Sequence, residues 1–203
     1  MMKHLRLLLA PLALALTVSP ALAEKIPLAQ ISGYLNSLKT AEAPFQQINA
    51  DGSTSSGKVI IRRPGRMRFE YGPPDRTLVL ASGGQVAIFD GKSNQPPEQY
   101  PLKKTPLNLI LAANVDLSRE KMVVGHTESG SLTIVTAQDP EHPEYGTLQL
   151  AFSANPVALK QWLVTDEAGG QTTVILGPLE AGNSYRPSIF SIHAEAERQK
   201  RRK

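Results

Sequence analysis

Four arginines, Arg62, Arg63, Arg66 and Arg68, fall within seven residues, and Glu70 follows two places on. A guanidinium presents five N–H donors in a fixed fork and stays protonated in proteins. The chemistry such a run offers is therefore the gripping of carbonyls, carboxylates or phosphates, and not proton transfer. Other chemistry is sparse. His126, His142 and His193 stand apart from one another, with no i, i+4 pair and no HExxH. The densest polar run, Asp139-Pro-Glu-His142-Pro-Glu144, has the side chains of a metal site, but its two prolines place it in a solvated loop between strands. No GxSxG elbow, phosphate-cradling GxxxxGK[ST] or dinucleotide-type GxGxxG is present. With no cysteine, thiol chemistry, Cys-zinc sites and disulfides are excluded. The expectation is a protein that is not an enzyme and takes no metal or cofactor.

The arginines must be positioned by strands. Gly57–Arg63 and Arg66–Tyr71 read as two short strands around a Pro64–Gly65 corner. Side chains alternate across a strand, so Val59 and Ile61 share a face and Arg63 is next in phase with them. Two outcomes stay open by parity alone. Either Arg63 joins that apolar face, or Pro64 ends the strand and the side chain swings into water. On the next strand Met67, Phe69 and Tyr71 form the apolar face, which leaves Arg66, Arg68 and Glu70 as a solvated face pairing with neighbours.

Around this corner the chain is mostly strand. Pro27–Ala41 places Ile31, Tyr34, Leu35 and Leu38 on one helical stripe, with Pro27 suited to a first turn. Period-two runs follow at Phe45–Ala50, Arg76–Ala81, Gln85–Asp90 and Glu98–Leu102. Thr105-Pro106 then offers an N-cap and a Pro at the first helical position for a short apolar helix, Leu107–Ala113, with Leu107, Ile110 and Leu111 on one side. Strands resume at Lys121–Thr127, Ser131–Gln138, Gly146–Phe152, Ala158–Thr165, Gln171–Leu176 and Ser188–His193. So many strands with so little helix predict a mainly β fold, one antiparallel sheet that curls into a barrel or an open half-barrel. Aromatics make up 5% of residues, which suits a sheet wrapped around space.

Residues 1–23 read as an export peptide: Lys3 and Arg6, an apolar stretch from Leu7 to Val18, and Ala21-Leu22-Ala23 as a cleavage signal before Glu24. Residues 24–194 suit one domain. Residues 195–203, ending in RQKRRK, read as a basic disordered tail. The charge is unevenly placed, because residues 24–197 carry 15 Lys and Arg against 18 Asp and Glu, so the high isoelectric point comes from the two ends. Nucleic acid is not an expected partner of such an exported protein, whereas an anionic membrane surface is a reading open to the tail.

Gly57-Lys-Val-Ile-Ile-Arg-Arg-Pro64, Met67-Arg-Phe69-Glu-Tyr71-Gly-Pro-Pro74, the hairpin from Leu78 to Asp90, Thr105-Pro106-Leu107 and Phe45-x-Gln47 together resemble the periplasmic outer-membrane lipoprotein carriers (LolA-like). The resemblance runs from about Ile31 to Leu176. It implies a soluble periplasmic monomer: an open half-barrel with an N-terminal helix and short lid helices over an apolar cavity. That cavity holds the acyl chains of lipoproteins received from an inner-membrane ATP-driven lipoprotein-releasing transporter, for delivery to an outer-membrane acceptor. By motif, Arg63 corresponds to the residue that holds the lid shut in the empty carrier. Val59, Ile61, Met67, Phe69, Tyr71, Leu107, Ile110 and Leu111 then line the cavity. The sequence departs from the pattern at Ser82-Gly83-Gly84-Gln85, where an acidic Ser-Asp-Gly-Lys turn is usual, at Ala87, where an aromatic is common, and in the closing IFSIHAEAERQKRRK. Two other functions fit a curled sheet: a sensor of envelope stress that binds lipid or misfolded lipoprotein, for which a second domain is wanting, and a surface-associating protein that uses the basic tail.

Overall fold

The computed structural model describes residues 25–93, 95–105 and 107–201. The expected export peptide lies outside them, as does Pro106 of the expected helix start. The chain begins with α1 (Leu28–Ser37), whose Ile31 and Leu35 are wholly buried. It is shorter than the predicted Pro27–Ala41, because Thr40 already enters a strand. Strands β1 (Thr40–Ile48), β2 (Thr54–Arg62), β3 (Arg66–Tyr71), β4 (Leu78–Ser82), β5 (Gln85–Phe89) and β6 (Glu98–Pro101) form one antiparallel meander. A single-turn helix, α2 (Asn108–Leu111), leads to the second meander: β7 (Val123–Ser129), β8 (Leu132–Gln138), β9 (Thr147–Ala154), β10 (Val157–Thr165) and β11 (Gln171–Leu176). A two-residue strand, β12 (Glu180–Ala181), and α3 (Ile192–Arg201) close the chain.

The sheet has the order β6-β5-β4-β3-β2-β1-β11-β10-β9-β8-β7, with β12 paired to β1 beyond the end of β11. It is open, a half-barrel and not a barrel. This order has a consequence for the segment between the meanders. Because β6 and β7 are consecutive in the chain yet lie at opposite edges, residues 102–122 must travel from one rim of the curved sheet to the other. That segment carries α2 and its apolar residues across the hollow, where Leu109, Ile110 and Leu111 become buried. Thr105 does not cap α2, since its hydroxyl donates to the Leu102 carbonyl.

Register sets which side chains meet inside. Across β2 and β3, Val59 faces Phe69 and Ile61 faces Met67; across β1 and β2, Ala43 faces Val59 and Phe45 faces Gly57. These residues share the concave face and one apolar cluster with α1, α2 and residues of β8–β11. The few aromatics concentrate here: Phe45 stacks on Phe69 at 3.9 Å, and Tyr71 and Trp162 pack around Phe69 at 5.2 and 5.7 Å.

Gly57 makes that stack possible. A Cβ at this position would come within 2.6 Å of the Phe45 ring and closer still to the Glu70 carbonyl oxygen. The ring lies over bare backbone, an aromatic–glycine cross-strand pair. Gly57→Ala is expected to cost about 1–3 kcal/mol from the overpacking, despite the better strand propensity of alanine. The check is a lower urea midpoint with an unchanged slope.

Two expectations are corrected at the end of the chain. Ser188–His193 is not a strand but a 3-10 turn, Pro187–Phe190, running into α3. Residues 195–201, read as disordered tail, belong to that helix. It packs on the convex face over Leu78, Leu80, Ala87 and Phe89 through Ile192 and Ala196. These two side chains are four residues apart and face the sheet together.

Candidate functional site

Arg63 is buried, at 8% exposure, beneath the segment that crosses the hollow. Its backbone N–H donates to the Lys39 carbonyl at 2.8 Å, which holds the end of β2 in line and carries the side chain inward. The guanidinium Nη2 donates to the Ala112 carbonyl at 2.5 Å and to Asn36 Oδ1 at 3.1 Å. Beside it the Gly65 N–H donates to the Leu111 carbonyl at 2.8 Å. The last carbonyls of a helix have no partner within it. Here the Arg63–Gly65 corner meets two carbonyls at the end of α2.

Among the described residues Arg63 has no carboxylate partner, and burial lowers its guanidinium pKa from the ordinary value. Its Nε is buried with no hydrogen-bond acceptor among the described residues. An unsatisfied buried donor costs roughly 1–3 kcal/mol, so this closed arrangement is held against a penalty. Desolvation and the orphan Nε thus oppose the two hydrogen bonds made by Nη2.

Asn36 is the hub that sequence reasoning missed. Its Oδ1 accepts from Arg63 and from the Val115 N–H at 2.9 Å, while its Nδ2 donates to the Val115 carbonyl at 2.8 Å. One turn earlier, Ser32 Oγ accepts from the Leu117 N–H at 3.0 Å. Thus α1 grips the crossing segment at two points and Arg63 at a third. The only sequence signal was the i, i+4 spacing of Ser32 and Asn36 next to the Ile31/Leu35 stripe, which by itself reads as the polar side of a helix.

Val59, Ile61, Met67, Phe69, Ile110 and Leu111 are all buried in the concave cluster, with Tyr71 and Leu107 packed against it partly exposed. The Tyr71 hydroxyl donates to Gln47 Oε1 at 2.6 Å, and burial pushes its pKa up to about 12. α1 and α2 pack into the hollow against that cluster. Between α2 and the β9–β10 side a cleft of about 190 Å³ remains, lined by Leu107, Ile110, Leu148, Trp162 and Val164, with Lys104 and Asp139 at its edge. That is smaller than the roughly 300–1,000 Å³ of a drug-sized site.

Arg68 departs from the solvated face expected of it. It is buried at 8% exposure on the convex side, under α3. Nε and Nη2 each donate to Glu70 at 3.2 Å, and Nη1 donates to Glu195 Oε2 at 3.3 Å and to the Ile189 carbonyl at 3.1 Å. Burial pulls the Arg68 pKa down, but Glu70 and Glu195 outweigh it and raise it overall. Glu70 is held below the ordinary carboxylate range by its hydrogen bonds from Arg68. The Asp139–Glu144 loop brings His142 Nδ1 to 3.1 Å from Glu144 and stacks its ring on exposed Tyr145. Among the described residues no group of three or more metal-ligating side chains forms, and no helix is long and apolar enough to cross a membrane.

The fold and site together define a class, a half-barrel whose apolar hollow is covered by its own helices, with the buried Arg63 guanidinium bonded to the covering segment. Residues 36–193 match the family model of the outer membrane lipoprotein carrier protein LolA, and the chain belongs to that family. The outer-membrane lipoprotein carrier protein of Pseudomonas paraeruginosa is 25% identical over 190 residues, which span 89% of this chain and 90% of that one. The carrier of Methylococcus capsulatus is 25% identical over 183 residues, 86% of each chain. Among solved structures, the MucA/MucB complex of Pseudomonas aeruginosa aligns with a TM-score of 0.43 and 13% identity, over 81% of this chain and 59% of that one. The family match stops at residue 193, so nearly all of α3 lies beyond it.

Proposed function

We propose that the protein is a periplasmic chaperone that shields lipoprotein acyl chains in its concave hollow and carries them from the inner to the outer membrane. It takes them as a monomer from an inner-membrane ATP-driven transporter and gives them to an outer-membrane acceptor, with no chemical step of its own. Relatives named as carriers along most of the chain support the reading. The observation that carries it is the Arg63 contact with Ala112 and Asn36, a polar fastening inside an otherwise apolar cluster.

The energetics explain why a carrier needs such a fastening. A three-chain lipid anchor has on the order of 45 methylenes, and at ~0.8 kcal/mol each its exposure to water costs roughly 35 kcal/mol. Unaided crossing of an aqueous gap is therefore closed. A hollow that matched this whole term would never release its cargo, since non-covalent affinities saturate near −18 to −21 kcal/mol. A stable empty state competes with cargo and lowers apparent affinity by the fraction of molecules that are open. In this reading Arg63 is the latch of that empty state, and Val59, Ile61, Met67, Phe69, Tyr71, Leu107, Ile110 and Leu111 touch lipid once the helices swing away.

The test is recovery of the protein from periplasm under mild conditions, followed by mass spectrometry of what accompanies it. Peptides bearing a lipid-modified N-terminal cysteine are the expected cargo. Recovery with phospholipid alone, or with no acylated protein even when delivery to the outer membrane is blocked, overturns the proposal.

A further inference from the structure

α3 carries the first part of the basic run that the carrier reading leaves unused, Arg198, Lys200 and Arg201. Residues 24–191 carry 15 Lys and Arg against 16 Asp and Glu, a nearly neutral body. Residues 192–203 carry five cations, Arg198, Lys200, Arg201, Arg202 and Lys203, against Glu195 and Glu197. Of the two acids, Glu197 is partly exposed and pairs with Lys200 at 2.9 Å, while Glu195 is turned inward. Glu195 is 5% exposed and faces Arg68, which neutralises it from below. Lys200 is 70% exposed and Arg198 44% exposed; Arg201 is exposed beside them. The apolar side of the helix is already engaged, through Ile192 and Ala196, with the sheet. What faces outward is mostly charge, Arg198, Lys200 and Arg201 against Glu197.

Next to this face runs a groove of mixed lining, about 770 Å³, between α3 and the loops after β3 and β5, with Pro96, Pro97, Ile192 and Ala196 among its walls. Arg76, His193, Gln199 and Lys200 line it, with Asp90 as its acidic member. It offers donors where a phosphate-bearing headgroup could lie.

We propose that the outward face of α3 docks the protein on anionic phospholipid bilayers through headgroup phosphates, without insertion of the helix. Charge complementarity selects this partner. A polybasic segment gains roughly 1 kcal/mol per Lys or Arg at an anionic surface, about a fivefold gain in partitioning for each residue. A nearly neutral body gains little, so attachment is oriented by this one end. Because α3 lies on the convex face, docking leaves the helix-covered hollow on the other side of the sheet. The inference does not rest on the carrier reading, since it concerns a different face and a different ligand.

The experiment is co-sedimentation of the purified protein with vesicles of phosphatidylglycerol and phosphatidylcholine, 3:7, at 20 mM and 500 mM salt, with pure phosphatidylcholine alongside. The expected result is binding to the anionic vesicles at low salt that falls at least tenfold at high salt and is absent from neutral vesicles. The quadruple variant Lys200→Gln, Arg201→Gln, Arg202→Gln, Lys203→Gln spares Arg198 and the Glu195 contact. It is expected to lose at least a hundredfold in partitioning while keeping the wild-type urea midpoint. Absence of binding at low salt, equal binding to neutral vesicles, or full retention by the variant overturns the proposal. Loss of vesicle binding with cargo co-purification intact separates it from the carrier reading.

Discussion

Arg63→Leu is expected to come out of the periplasm with lipoprotein still bound, while the wild-type protein from the same cells comes out mostly empty. Two charge-assisted hydrogen bonds, to Ala112 and Asn36, contribute about 1.5–3 kcal/mol each to the closed form. Burial of the unpaired Nε opposes them by roughly 1–3 kcal/mol. The net bias toward closure is then about 3 kcal/mol, and its loss raises the open fraction and the apparent cargo affinity by about two orders of magnitude. Leucine suits this contrast because its neighbours in the cluster are apolar, so the substitution removes the latch without burying a new polar group. Arg63→Lys keeps the charge but not the fork, and is expected to fall between the two. The measure is the ratio of acylated protein to carrier by quantitative mass spectrometry, with outer-membrane delivery as the second readout. Equal occupancy of wild type and Arg63→Leu would remove the latch from the account.

The arginine corner shows how far the sequence could be read. Alternation put Val59, Ile61 and Arg63 in phase, and the observed register places all three inside. Parity could not say whether Pro64 would release the side chain. The answer depends on Ala112 and Asn36, 49 and 27 residues away: Ala112 enters the corner because β6 and β7 sit at opposite edges of the sheet, and Asn36 is set there by α1. The same rule applied to Arg68 gave the right face and the wrong environment. Its alternation with Met67 and Phe69 implies a solvated face, since nothing nearby in the sequence covers that side. The residues that cover it are 121 and 127 positions further on, Ile189 in a run that reads as a strand and Glu195 at the start of a run that reads as a disordered tail. Ile189, Phe190 and Ile192 gave a weak apolar signal that suits a short strand as well as a helix start. Only Ile192 and Ala196 at helical spacing, with Glu195 on the same side, distinguish the helix, and a buried acid within the stripe hides the pattern. Strand number and alternation are local properties and could be read early. Edge placement, the crossing segment and the α3 contact are long-range and could not.

Arg68→Met is expected to lower stability by about 3 kcal/mol, the low end for removal of one partner from a buried ion pair. Glu195 would be left nearly buried with Arg198 as its remaining ion-pair partner at 2.9 Å, and the Ile189 carbonyl would lose its donor. Glu195→Leu is expected to cost less, because Arg68 retains Glu70, which is half exposed and reaches water. The double variant Arg68→Met, Glu195→Leu should recover much of the loss. Its new side chains meet Ile60 and Leu80, which flank Arg68 across the strands, and the apolar side of α3. A coupling energy of 1–3 kcal/mol in the cycle, read from urea midpoints at constant slope, is the expected signature. The acid limb gives an independent check. Glu70 is held below its ordinary range by Arg68, so its contribution is complete at neutral pH and is lost as pH falls through the depressed folded-state value. Wild type should therefore lose stability on acidification more steeply than Arg68→Met over that window, by a small amount because Glu70 is half exposed. An additive cycle with parallel acid limbs would mean that α3 is held by Ile192, Ala196 and Phe190 alone, and that the buried charges set only where along the convex face the helix comes to rest.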